Sequence, residues 1–378
     1  MGLIWKDAPD YLLDAARFGK ISLFRPALES GCLVSNAAGT GITLKAGTII
    51  PLKSGGTWKA YEFTVDTEVT TLDTGVLTLG SNYYLYLCDD GSDVGVLLLS
   101  ANTTAPSGYT IDNSTKVGGF HYGRVRVVNA DWTPVDGVSA VYGADATTPW
   151  EANVATKIVP NSVWDMINRP TCDPAGMAKV GNFWLDIYLA SQYEAITLSN
   201  GKLAAGRVCS AYNATPLTGT ESLNAYHFNE LGKRSGKRLL SLSEWLQAAE
   251  GSPQGNDGDN VNAWSATTNT ARNPAGGVER AISAYNIVDC VGNVHEWVNE
   301  FLHDPTGATI AWQDSMPGQG VGQLYMYNAT GLHQIIAGGD WGYGVNAGSR
   351  CVNLDIFPWG VNTYIGCRFA CDSLKSVI

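Results

Sequence analysis

The sequence predicts an α+β protein, with an N-terminal β-sandwich-like domain followed by a second domain of short strands, long ordered loops and one well-marked helix. Three observations predict this. The chain has 378 residues, room for two or three domains at roughly 150 residues each. Charged residues make up only 16%, while Gly reaches 43, Trp 12 and Tyr 17, a composition that favours strands and ordered loops over amphipathic helices. The one segment carrying complete helix signals comes late, at 241–251.

The elements follow in order. Residues 1–45 form an N-terminal segment, read as a trimerisation or docking element, with two helical turns expected at 11–18. They lack the basic start and apolar middle of a signal peptide. Residues 46–130 read as the β-sandwich domain. Thr48-Ile49-Ile50-Pro51-Leu52, Lys59 to Val65 and Tyr83 to Cys88 are short apolar or alternating runs, and Asp89-Asp90-Gly91-Ser92 marks a hairpin turn. Thr115 to Tyr122 is expected to be the last strand, with His121 packed in the core. Residues 131–160 read as a connector. The second domain, 161–378, opens near Val163-Trp164-Asp165 and continues through a strand at Phe183 to Leu189. Its helix has a capping box, Ser241 with Glu244, and a glycine stop at Gly251. Residues 251–280 and 303–334 read as loops.

Charge and composition exclude several functions. A net charge of −11 argues against nucleic acid, which needs a basic footprint, and against polybasic membrane contact. No apolar run of about 18 residues is present, so no membrane insertion is expected. The eight cysteines are scattered without a C-x-x-C, which favours free, mostly buried thiols.

The segment 338–372 mixes two kinds of residue. Gly338, Gly339, Trp341, Arg350, Asn362, Gly366 and Arg368 look architectural. Asp340, Gly342, Tyr343, Asp355, Ile356, Phe357, Gly360 and Tyr364 follow no strand or helix period. Unpatterned and often aromatic side chains on a fixed frame read as a binding surface, because loops on a rigid scaffold tolerate exchange and aromatics dominate contact energy. Val345, Asn353 and Trp359 are additional candidate contacts.

Four segments in order resemble the formylglycine-generating-enzyme type of C-type lectin fold. They are Arg238 to Trp245 (similar to RLPSEAEWE), Gly292-Asn293-Val294-His295-Glu296-Trp297 (GNVWEW), Gly338-Gly339-Asp340-Trp341 (GGSW) and Gly366-Cys367-Arg368-Phe369-Ala370 (GFRCA). Further segments, among them Lys45 to Ile49, Tyr86 to Gly91, Lys116 to Tyr122 and Asp173 to Met177, resemble the tropism-determinant family of phage tail-fibre proteins, the variable proteins of diversity-generating retroelements. That resemblance implies a homotrimer at the tail-fibre tip, joined to other tail-fibre proteins. It would bind a host bacterial surface receptor, protein or glycan, through retroelement-varied residues; a host-encoded version would sit on the bacterial surface. Such retroelements randomise adenines, mostly in asparagine codons. All eight unpatterned residues are reachable from Asn codons, whereas Trp341 and Trp359 are not and are assigned to the frame. Glu296 and Trp297 are expected to anchor the core, and Arg350 and Arg368 to bind interior carboxylates or carbonyls. The exchangeable positions should form one exposed face.

Two alternatives share the fold. A copper oxidoreductase of the formylglycine-generating kind needs paired thiols. Cys351 matches one, but the partner position is Asn346, and His227, His295, His303 and His333 are scattered. A Ca2+-dependent lectin is disfavoured because the EPN, QPD and WND triplets are absent. No cofactor is required. The Asp- and Asn-rich loops admit a structural Ca2+, with Asn293 and Glu296 as candidates.

Overall fold

The computed structural model describes residues 3–5, 31–91, 94–126, 154–253, 271–279, 281–304, 311–314, 323–326 and 331–374. The helical turns expected at 11–18, and most of the expected connector, lie outside the described residues. The chain divides into two compact units: Met1–Gly123 with Thr156–Pro170 and Ser373–Ile378, and Arg124–Ala155 with Thr171–Asp372.

The first unit is built from β1 (Leu3–Trp5), β2 (Leu33–Ser35), β3 (Ile42–Leu44), β4 (Thr48–Ser54), β5 (Thr57–Phe63), β6 (Thr67–Val69), β7 (Ser81–Cys88), β8 (Val96–Ser100), β9 (Ser114–Arg126), β10 (Val154–Ile158) and β11 (Trp164–Asp165). Three sheets result, ordered β1-β5-β4, β2-β3-β6 and β10-β9-β7-β8, with β11 added on β9. Alternation along β4 turns Ile50 and Leu52 inward, where they meet Ile42, Leu44, Tyr61, Leu85 and Phe120 in one core. His121 is buried as expected, its Nδ1 2.8 Å from Asn82 Oδ1.

Three expected boundaries move. Residues 1–45 are not separate from the sandwich, because Leu3–Trp5 pairs with Ala60–Glu62 and Leu33, Ile42 and Leu44 enter the core. The strand at Thr115–Tyr122 is not the last, since β10 and β11 both join it. Trp164 and Asp165 close this unit rather than open the next. Gly118 and Gly119 make that possible: a Cβ on Gly118 would stand 2.2 Å from Trp164 O, and one on Gly119 would stand 3.0 Å from the Trp164 ring. Asp165 then fixes the crossing, accepting from Cys32 N at 2.6 Å and from Ile167 N and Asn168 N at 2.8 Å each.

The second unit contains β12 (Met177–Val180), β13 (Phe183–Asp186), β14 (Ala190–Ser199), β15 (Lys202–Ser210), α1 (Ala225–Arg234), β16 (Arg238–Leu239), α2 (Leu242–Ala248), β17 (His295–Asp304), β18 (Ala311–Asp314), β19 (Gln323–Met326), β20 (Gly331–Ala337), β21 (Val352–Asn353), β22 (Ile365–Gly366) and β23 (Phe369–Asp372). The sheets are β12-β13-β23-β16, the hairpin β14-β15, and a six-stranded β18-β19-β21-β20-β17-β22. Helix α2 has the predicted capping box, Ser241 with Glu244, and Gly251 takes a positive φ of 71° after it. Helix α1, which no sequence reading anticipates, is capped the same way by Asn224 and His227. It lays Phe228 and Leu231 on Leu239, Trp297 and Phe369. The stretch 303–334, read as a loop, instead supplies β18 and β19. Among the described residues no helix is long and apolar enough to cross a membrane.

Candidate functional site

The frame of the C-terminal segment is held from below. Arg368 and Glu296 are both fully buried and form a two-pronged pair, Nε to Oε2 at 2.6 Å and Nη2 to Oε1 at 2.9 Å. The remaining guanidinium donors reach Val288 O at 2.8 Å and Ile187 O at 3.2 Å. Trp297 packs beside this pair in the main core. Arg350 works nearer the rim, giving Nη2 to Glu250 Oε2 at 2.7 Å and Nη1 to Leu246 O at 3.3 Å.

Backbone hydrogen bonds then peg the segment at intervals. Gly338 N donates to Cys351 O, Trp341 N to Asn293 O, Gln334 N to Ile356 O, Gly219 N to Asn362 O and His295 N to Tyr364 O. Gly338 and Gly339 have φ of 96° and 82°, the left-handed region where a side chain is strained. A Cβ at Gly338 would sit 2.5 Å from Cys290 O, and one at Gly366 would sit 2.6 Å from Leu217 O. Trp341 is half-buried against the cluster of Ala281, Val291 and Ala347. Asn293 ties a neighbouring loop, its Oδ1 accepting from Asn273 N at 2.9 Å.

The unpatterned residues sit above this frame in two groups. In the first, the Tyr343 ring stands edge-on to His295 (4.4 Å) and Trp312 (5.3 Å), Trp312 lies 4.6 Å from Tyr325, and Tyr364 lies 6.5 Å from His295. Asn353 Nδ2 donates to Tyr343 Oη at 3.1 Å, and Asn353 Oδ1 accepts from Asp355 N at 2.8 Å. Asp340 Oδ1 accepts from Gly342 N at 2.6 Å, while Oδ2 lies 3.9 Å from His295 Nε2. In the second group Phe357 stacks on Trp359 at 5.0 Å and stands edge-on to His333 at 4.9 Å.

Burial sets the electrostatics. It lifts the carboxyls of Asp340 and Asp355 to about 6 each and pushes His295 down to about 3. Burial also raises the Tyr343 and Tyr364 hydroxyls, with Asp340 adding to both. The surface is therefore aromatic, with two carboxyls poised between charged and neutral near pH 6.

The expectation of one exposed face needs correction. Of the eight exchangeable positions only Gly342 is exposed; Asp340 is buried and the other six are half-buried. Ile356 and Tyr364 pack on the main core and Tyr343 on the smaller one, so only part of each side chain is open to solvent. Trp359, assigned to the frame from its codon, is 54% exposed. The side chain of Val345 lies outside the described residues. Sequence reading missed Trp312 and Tyr325, whose only signal was the short alternation in Ala311-Trp312-Gln313-Asp314 and Gln323-Leu324-Tyr325-Met326. It also missed His295 and His333 as ring partners.

A paired-thiol copper site does not fit these residues: Cys351 is fully buried and the position of its partner is an amide, Asn346. Among the described residues no group of three or more His, Cys, Asp and Glu is arranged to hold a metal.

Known proteins match the chain in two successive segments. Residues 33–165 match the Mtd second domain, and residues 171–372 match the sulfatase-modifying factor enzyme 1-like domain. The chain is 28% identical over 369 residues to the tail fiber receptor-binding protein of Bordetella phage BPP-1, covering 93% of this chain and 84% of that one. The solved structure of the major tropism determinant U1 variant superposes with a TM-score of 0.66 at 26% identity, over 97% of this chain and 88% of the other. The P3c variant gives 0.65 at 27%, over 90% and 84%. With its model matched over more than half the chain, the sulfatase-modifying factor enzyme 1-like domain family is the one to which this protein belongs, here behind an Mtd second domain.

Proposed function

We propose that the protein is a non-enzymatic receptor-binding protein of a phage tail fibre, which contacts a host surface ligand through the two aromatic groups of the C-terminal segment. The observation that carries this reading is the separation of roles within residues 338–372. Buried Arg368, backbone bonds and positive-φ glycines hold the path, while Phe357, Tyr343 and Tyr364 stay half-buried and Trp359 is exposed, so their rings keep surface open to a ligand. Rigid aromatic rings give large contact area at low rotamer cost. The likeness to a tail fiber receptor-binding protein over 93% of the chain supports the assignment and the virion location.

Three finer statements belong to the same proposal. The eight exchangeable positions are ligand contacts varied by a retroelement, and Val345, Asn353 and Trp359 are additional contacts that it does not vary. The protein is a homotrimer, so several sites on one fibre raise avidity beyond single-site affinity. A structural Ca2+ is compatible with the reading but is not required by it.

The test is binding of the fluorescently labelled full chain to a panel of intact bacterial strains, with unlabelled chain as competitor. At least one strain should bind saturably, and Phe357→Ala with Trp359→Ala should lose that binding at least tenfold while folding normally. Equal binding by the double variant contradicts the assignment.

A further inference from the structure

The long segment of the second unit, Thr171–Asp372, begins and ends with residues that run antiparallel to each other. Thr171 N donates to Asp372 O at 3.0 Å, and the register continues outward as Pro170 opposite Ser373. Extended one step inward, that register would bring Cys172 opposite Cys371. A directly opposed antiparallel pair has Cβ atoms about 4.5–5.5 Å apart, nearest in the pairs that exchange no backbone bonds. A disulfide needs about 3.5–4.5 Å. Because Thr171 and Asp372 share a backbone bond, Cys172 and Cys371 fall at one of the closer positions.

The local contacts agree. Cys371 Sγ lies 3.2 Å from Cys172 N, which donates to it, and 3.1 Å from Thr171 Oγ1. Cys371 is buried, whereas Cys172 is partly open to solvent. We propose that Cys172 and Cys371 are an oxidisable dithiol that closes to a disulfide, joining the two ends of the lectin-like unit across 199 residues of sequence.

The chemistry divides by exposure. Cys172 attacks one sulfur of a low-molecular-weight disulfide such as oxidised glutathione, forming a mixed disulfide and releasing one glutathione thiolate. Cys371 then attacks the Cys172 sulfur and releases the second. The two protein thiols lose two protons and two electrons, and one oxidised glutathione becomes two reduced molecules. Cys371 suits the resolving step by position, its sulfur already 3.2 Å from Cys172 N. In the reduced pair the hydrogen bond from the Cys172 thiol, with those from Thr171 and the Cys172 backbone, pulls its pKa down to about 6 despite burial, and the bonds from Thr171 and the backbone remain once Cys172 is in the mixed disulfide. The hydrogen bond to Cys371 and then burial push the Cys172 thiol well up, with Lys237 opposing, so its attack on the external disulfide quickens as pH rises. The closed loop is long, which favours a large gain in stability.

The experiment treats the full-length protein at pH 8 with oxidised glutathione, blocks remaining thiols by alkylation in denaturant, and combines thiol counting with peptide mapping. The free-thiol count should fall by two from eight, with a single cross-linked peptide containing Cys172 and Cys371. The melting temperature should rise by about 5–15 °C and return on reduction. Cys172→Ser should lose no thiol to an internal disulfide. Eight free thiols after treatment, a bond between any other two cysteines, or a glutathione adduct that stays on Cys172 would overturn the proposal. The wild-type map decides this even if the variant fails to fold.

Discussion

Replacing Arg368 with Met tests the frame at its centre. The side chain is fully buried and its pair with Glu296 is two-pronged. Removing one partner of a buried ion pair costs about 3–5 kcal/mol, because the other charge stays desolvated. For a unit of this size, about 2–4 °C is lost per kcal/mol, so the melting temperature should fall by about 6–20 °C. Adding Glu296→Leu should recover about half of the loss, since the stranded charge disappears but Val288 O and Ile187 O keep no donor from this side chain. The single variant should also acquire a pH dependence. Burial already raises the Glu296 carboxyl, with Arg368 opposing. Without Arg368 the folded state binds a proton that the unfolded state releases near its ordinary value of about 4.3. Stability then falls as pH climbs from that value towards the raised one. Thermal unfolding at pH 5 and pH 8 measures both effects, with the larger deficit expected at pH 8. A fall of less than about 3 °C, or an equal deficit at both pH values, would refute the reasoning.

Glycine positions offer a second contrast. Gly338→Ala, with φ 96° and Cys290 O at 2.5 Å from the new Cβ, should destabilise by about 2 kcal/mol or more, whereas at exposed Gly342 the nearest contact is the Asp340 carboxylate at 3.3 Å and Ala should cost under about 1 kcal/mol; urea unfolding separates them. Asp340 has a folded-state pKa of about 6 against about 3.9 in the unfolded chain. It therefore costs stability increasingly as pH rises from about 4 to 6, and Asp340→Asn should raise the melting temperature at pH 7.5 but leave it unchanged near pH 4. Trp359→Ala should shift the melting temperature by under about 3 °C, because the ring is largely exposed and, among the described residues, stacks on Phe357 alone. Tyr343→Ala should cost more, since it strips contacts from His295, Trp312 and Asn353 together; differential scanning calorimetry orders the two.

The legible parts of the sequence were those where one residue type has one structural use. The capping box at Ser241 and Glu244 and the glycines at 338 and 339 declared themselves because few other residues can do their work. Arg368 was legible through the resemblance of Gly366-Cys367-Arg368-Phe369-Ala370 to the family's closing motif, and an Arg among apolar neighbours needs a buried acceptor. Domain edges were less legible. Trp164 and Asp165 look like the start of something new, and only the paired glycines at 118 and 119 show that they close over an older strand. Strands β18 and β19 were hidden because four-residue strands carry too little alternation to stand out from a polar loop. The depth of the exchangeable residues was also hidden. An aperiodic run says that residues are not in a regular element, but it does not say how far each sinks, and of the eight Asp340 alone is buried.

The most direct test of the division between frame and exchangeable residues is to sequence the DNA around the coding region. The account predicts a near-copy of the codons for residues 338–372, with adenines in the copy at the codons of Asp340, Gly342, Tyr343, Asp355, Ile356, Phe357, Gly360 and Tyr364, identity at Gly338, Gly339, Trp341, Arg350 and Arg368, and a reverse-transcriptase gene nearby. A copy whose differences fall on the frame codons, or the absence of any such copy, would contradict it.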